Sequence, residues 1–200
     1  MMIFNKKYQV MERKNYIGMG YQFHQLVRES ITEMIKEGNK VNITSKFDDK
    51  QSDEESWDEY KSKTRWNDLN IGVPLLFNFY HGLELLLKGI LQEEGVSLKP
   101  THKLNELFSE ISNDMNLPDS LISPIKKYID TTNQFQEVFR MNNSSPNQYH
   151  LLLRYPENKN KTHIFSKIRG QEKIGLNNFI ELKEDIDKIK LEMVNWVVNK

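Results

Sequence analysis

The 200-residue chain contains no cysteine, which excludes disulfides, thiolate metal sites and a cysteine nucleophile and fits a reducing cytoplasm. Glycine and proline are sparse, at nine and six. The glycines are scattered, and Gly18 and Gly20 do not open a strand-to-helix turn, so a phosphate-cradling loop is missing. So is a Gly-x-Ser-x-Gly nucleophile elbow. No two of the five histidines stand at metal-ligand spacing, and the chain is expected to use no metal and no other cofactor. An excess of charge is absent as well: 28 basic residues meet 28 acidic ones, so any nucleic-acid surface must come from local clustering. The first fifteen residues, MMIFNKKYQVMERKN, lack the apolar core of a signal peptide. The most apolar stretch is interrupted by Glu84 and Lys88, which argues against a membrane span. The chain therefore reads as soluble and cytoplasmic, and its length predicts one domain over residues 1–200.

What is present is helical periodicity. Between Gly72 and Gly95 leucines, isoleucines and aromatics fill almost every position except a line of Asn78, His81, Glu84, Lys88 and Gln92, whose three- and four-residue steps follow one edge of a helix. A helix that is apolar nearly all round must be enclosed by other helices or by a partner subunit. Helices are also predicted over Asn15–Glu37, stopped by Gly38; from Thr101 as cap through Ile111; and from Asp119 to Met141. In the last helix Phe179, Leu182, Ile186, Ile189, Met193 and Trp196 share a face. The fold class expected is mainly all-α: an antiparallel bundle of about five helices with a small β-hairpin before the last.

Two segments stand apart by charge. A polar insertion at about 39–68 contains seven acidic residues and one lysine between Asp48 and Glu59, with Trp57, Tyr60 and Trp66 marking a loop that holds a short helix. The segment at about 148–169 has strand-like runs, Tyr149–Tyr155 and Thr162–Ile168, around a turn-forming Pro-Glu-Asn-Lys-Asn-Lys, and predicts the hairpin. From residue 140 to 169 six basic residues face Glu157 alone. Lys159, Lys161, Lys167 and Arg169, with Tyr149, Tyr155 and Phe165, could track a phosphate backbone and stack on bases. An exposed hairpin balanced by the acidic 48–59 segment is the alternative.

The arrangement HGLELLLKGIL followed by THKLNELF, with Glu84, Lys88 and His102, resembles the pattern of many HEPN-superfamily proteins of bacteria and archaea. That resemblance covers residues 72–111. It implies an antiparallel helical bundle that commonly dimerises. It implies two kinds of relative: metal-independent ribonucleases of toxin–antitoxin and phage-defence systems, and non-catalytic members. Those ribonucleases carry a closely spaced arginine and histidine, whereas here nine residues separate Arg140 from His150 and eight separate Arg154 from His163.

For RNA cleavage through the 2′-hydroxyl, the expected groups are His150 as base with Arg140 or Arg154 on the phosphate. The expected partners are a second copy or another subunit held through the apolar helices, RNA, or an effector or nucleotidyltransferase protein; no membrane is expected. A binding module and a purely structural oligomeric subunit are the other readings. Glu84 and Lys88 can equally be a structural i, i+4 pair, His24 a satisfied core histidine, and His81 either.

Overall fold

The computed structural model describes residues 15–40, 53–115, 117–130, 132–159, 161–168 and 172–199. It is mainly helical: α1 (Tyr16–Glu37), α2 (Asp53–Thr64), α3 (Asp68–Glu93), α4 (Leu104–Asp114), α5 (Asp119–Ile129), α6 (Gln136–Met141) and α7 (Glu172–Val198). Between α6 and α7 a 3₁₀ turn, Pro146–Gln148, runs into a single α-helical turn, Tyr149–Leu152.

Local chemistry sets the ends of the two central helices. Asn15 caps α1 by accepting from the Gly18 amide at 3.0 Å, and Gly38 ends it at φ +73°, a left-handed conformation that costs glycine little. Asn67 caps α3 by accepting from the Asn70 amide at 2.9 Å. This start lies upstream of the one predicted near Gly72. Pro74 therefore sits inside the helix.

α1 lies antiparallel against α3 at very close range. A Cβ built on Gly82 would fall 2.4 Å from Cδ2 of His24, one on Gly89 2.4 Å from Cγ1 of Ile17, and one on Gly20 2.9 Å from the Gly82 carbonyl oxygen. Gly82 and Gly89 are two turns apart and so share one face. They form a flat strip on which the other helix rests. α4 and the 149–152 turn cover α3 on other sides, while α7 packs antiparallel on α1 and α5. The core centres on α3 and is rich in rings: Phe79 meets Tyr128 at 4.5 Å between centroids, Tyr80 meets Phe139 at 5.3 Å, and Phe135 meets Phe179 at 5.4 Å, in the tilted and edge-on arrangements aromatic pairs prefer.

Among the described residues the predicted hairpin is not formed. Its first arm is helical at Tyr149–Leu152, and the burial pattern shows why: Tyr149, Leu152 and Leu153 are buried while Leu151 is 52% exposed. That is a three-to-four-residue period; a strand would bury Leu151 together with Tyr149 and Leu153. Among the described residues the second arm pairs through one isolated bridge, Glu157 with Thr162. The backbone of Ile164 is satisfied by a side chain instead: Asn142 donates Nδ2 to its carbonyl at 2.8 Å and accepts its amide at 2.9 Å.

The predicted helix 119–141 is likewise two helices. Asn133 breaks it, since its Oδ1 accepts the Phe135 amide at 2.8 Å and its Nδ2 donates to the Lys127 carbonyl, local bonds that compete with helix continuation. Pro124 does not; it stays within α5. The acidic segment forms α2 from Asp53 onward, and residues 41–52 lie outside the described residues, as does Arg169.

Candidate functional site at Glu84 and His102

The polar line of α3 reaches the surface at Asn78, His81, Lys88 and Gln92. Its central member does not: Glu84 is 1% exposed. A buried carboxylate needs donors, and Glu84 has three. Lys88, one turn along, donates Nζ at 2.6 Å. The Tyr149 hydroxyl donates at 2.5 Å. His102 Nδ1 approaches both carboxylate oxygens, at 3.0 and 3.1 Å.

His102 precedes α4, and its backbone is held from two directions. Thr101 does not cap α4; its Oγ1 accepts from the Lys103 amide and donates to Glu106 Oε2 at 2.8 Å. An α4 donor is taken instead by Asn147, whose Oδ1 accepts the Asn105 amide at 2.8 Å from across the fold. Asn147 belongs to the same 146–152 turn that carries Tyr149 and His150. The turn is therefore fastened to the first turn of α4, just after His102, at Asn105 and to α3 at Glu84. The fastening brings the two imidazoles side by side, with ring centroids of His102 and His150 5.2 Å apart.

Electrostatics separates the groups. Burial pushes the Glu84 carboxyl upward, but the hydrogen bonds from Lys88, Tyr149 and His102 outweigh it and hold the group below the ordinary carboxylate range, so it is ionised. Burial, with the Glu84 charge, pushes the Tyr149 phenol far up; it stays protonated and is a donor. Burial also lowers His150, reinforced by neighbouring His102 and opposed by Glu84, and it lowers His81 despite Glu84. Both are neutral at pH 7.

Because the Tyr149 proton goes to Glu84, its oxygen accepts from His81 Nδ1 at 3.2 Å. The same reasoning places a proton on Nδ1 of His102, whose side chain is 60% exposed. His150 Nδ1 is buried with no partner among the described residues. A carboxylate-bound imidazole next to a neutral imidazole is an arrangement that can move protons onto and off a substrate. Among the described residues no group of three or more metal-ligating side chains occurs, and no helix is long and apolar enough to cross a membrane.

The structure thus brings Glu84, Lys88, His102 and His150 together. Arg140 is on the surface, where Glu137 binds its Nε at 2.8 Å and its Nη2 at 2.5 Å, and Arg154 lies over the Tyr155 ring at 5.4 Å. Among the described residues no hydrogen bond, ion pair or ring contact joins either arginine to His150. Lys159, Lys161 and Lys167 are exposed along the segment that follows the His150 turn. His24 is a core histidine that bonds the Phe79 carbonyl at 3.1 Å. Tyr149, expected to stack on bases from the hairpin, is instead buried at 1% exposure and cannot do so; Asn147 carried no expectation from the sequence. The signal for them was Pro146, which starts a helical turn and so sets Tyr149, Leu152 and Leu153 on one inward face.

No protein-family model, no curated protein and no solved structure matches this chain.

Proposed function

We propose that this chain is a HEPN-like helical protein that cleaves RNA, in the manner of a metal-independent endoribonuclease of a toxin–antitoxin or phage-defence system. The observation that carries this reading is the Glu84–His102–His150 arrangement: one imidazole backed by an ionised carboxylate, the other held neutral, 5.2 Å apart. Neutral His150 removes the 2′-hydroxyl proton as the 2′-oxygen bonds to phosphorus. Protonated His102 gives its Nε2 proton to the departing 5′-oxygen as the P–O5′ bond breaks, and Glu84 balances the imidazolium charge. Arg154, Lys159, Lys161 and Lys167 neutralise the flanking phosphates, and Arg140 joins them when Glu137 releases it. The products are a 2′,3′-cyclic phosphate and a 5′-hydroxyl. Product analysis tests the reading: a substrate with a single 2′-deoxy nucleotide should resist cleavage 5′ of the next residue, and cleavage there would refute it.

The Glu84–Lys88 pair favours a second reading. Both charges are largely buried and compensate one another, as in a structural ion pair, and a non-catalytic module that binds nucleic acid or an effector protein would need nothing more. RNA retained without cleavage by the wild type, and released on charge reversal at Lys159, Lys161 and Lys167, would select it. In either reading the protein acts in the cytoplasm. Exposed Leu191, Val194 and Val198 near the end of α7 are the apolar surface through which a second copy or another subunit attaches. A monomer at micromolar concentration in light scattering would contradict self-association there.

A further inference from the structure

Tyr149 occupies a position that neither the polar line of α3 nor the basic segment accounts for. It is buried, yet its hydroxyl is shared between two titratable groups, donating to Glu84 Oε2 at 2.5 Å and accepting from His81 Nδ1 at 3.2 Å. Its ring is fixed by Tyr80, stacked at 5.8 Å, and by Phe77 at 5.9 Å. His81 is in turn edged by Phe23 from α1 at 4.6 Å. The backbone of Tyr149 continues directly into His150. One side chain therefore touches the carboxylate that holds His102 while its own chain carries the second imidazole.

We infer that Tyr149 is a positioning residue acting through Glu84: it sets how strongly the carboxylate holds the Nδ1 proton of His102, and it keeps the His150 turn in register with His102. The inference deepens the proposed reaction and rests on it for its catalytic meaning, but its physical content is independent of RNA. Each donor to a carboxylate draws charge from the others. Removing the Tyr149 donor leaves Glu84 with Lys88 and His102 alone, so the carboxylate pulls harder on the imidazolium. His81 loses its acceptor at the same time. The ionisable groups around this point are Glu84, Lys88 and His81 on α3, His102 before α4, and Tyr149 and His150 on the 146–152 turn.

The test is an NMR titration of the histidines in the full-length protein, wild type against Tyr149→Phe, which keeps the ring and its packing. His102 should titrate higher, with a proton affinity raised about three- to tenfold, while His81 titrates lower. Lys88→Met removes a different donor of Glu84 and a cation near His81, so both histidines should rise. Opposite shifts in one variant and parallel shifts in the other are a signature that loss of packing cannot produce. If Tyr149→Phe does not fold, 3-fluorotyrosine placed at 149 keeps every contact and strengthens the phenol as donor, and His102 should then titrate lower. Unchanged titration of His102 in these variants, or parallel shifts in Tyr149→Phe, would overturn the inference. Shifts as described in a protein that leaves RNA intact would uphold the Tyr149 linkage and refute the proposed reaction. Cleavage by the wild type with unmoved titrations would do the reverse.

Discussion

His24 and His102 both rest against α3, and what separates them is which part of that helix they meet. His24 lies flat on the glycine strip beside Gly82, 2% exposed, with a backbone carbonyl as its partner. Burial drives its pKa to about 4, with the Phe79 carbonyl partly opposing. His102 meets the carboxylate of Glu84 and keeps most of its ring in water. A carbonyl in the core holds a ring away from water, whereas a buried carboxylate holding an exposed imidazole leaves part of that ring open to solvent. The same residue type serves packing on one side of α3 and is available for chemistry on the other.

The comparison is broken most severely at Glu84. Glu84→Ala leaves Lys88 and the Tyr149 phenol without their acceptor in a nearly closed environment, and a loss of about 3–5 kcal/mol is expected from the shift in the urea unfolding midpoint. His24 gives the next effect, through pH. Its folded pKa of about 4 lies below the ordinary 6.5, so the unfolded chain takes up the proton first. This contribution is complete above pH 6.5 and is lost as pH falls towards 4, by about 3 kcal/mol. Glu84 is depressed too, and its contribution fades only lower, as pH falls below the carboxylate range. His24→Phe should therefore make the stability profile shallower between pH 6.5 and 4 without altering its fall below pH 4. Gly82→Ala comes third: the added methyl meets the His24 ring, and overpacking should cost about 1–3 kcal/mol in thermal or chemical melts. The smallest effect is at His102, where replacement by alanine should change stability by under about 1 kcal/mol while removing any activity that depends on it.

The helical frame was readable because the apolar positions of α1, α3 and α7 repeat at helical spacing, and helix formation in a buried bundle follows that repeat. The segment from 130 to 168 was not. There Asn133, Asn142 and Asn147 use their amides in place of backbone partners, and an asparagine gives no periodicity by which its distant partner can be named. The run Tyr149–Leu153 was too short for its period to be told apart as helix or strand. At the site, Glu84, Lys88 and His102 were visible as a motif. That His150 joins them depends on the 146–152 turn being helical, and the role of Tyr149 depends on a contact 65 residues away in sequence. Arg140 drew attention by charge, and its neighbour Glu137 holds it in a surface ion pair.

The most direct measurement is cleavage of single-stranded RNA by the purified chain in excess EDTA, comparing wild type with His102→Ala, His150→Ala and Arg140→Ala. Cleavage should fall about 10²–10⁴-fold in each histidine variant and much less in Arg140→Ala. Cleavage that survives the loss of both His102 and His150, or RNA left intact by the folded wild type, would contradict the proposed reaction.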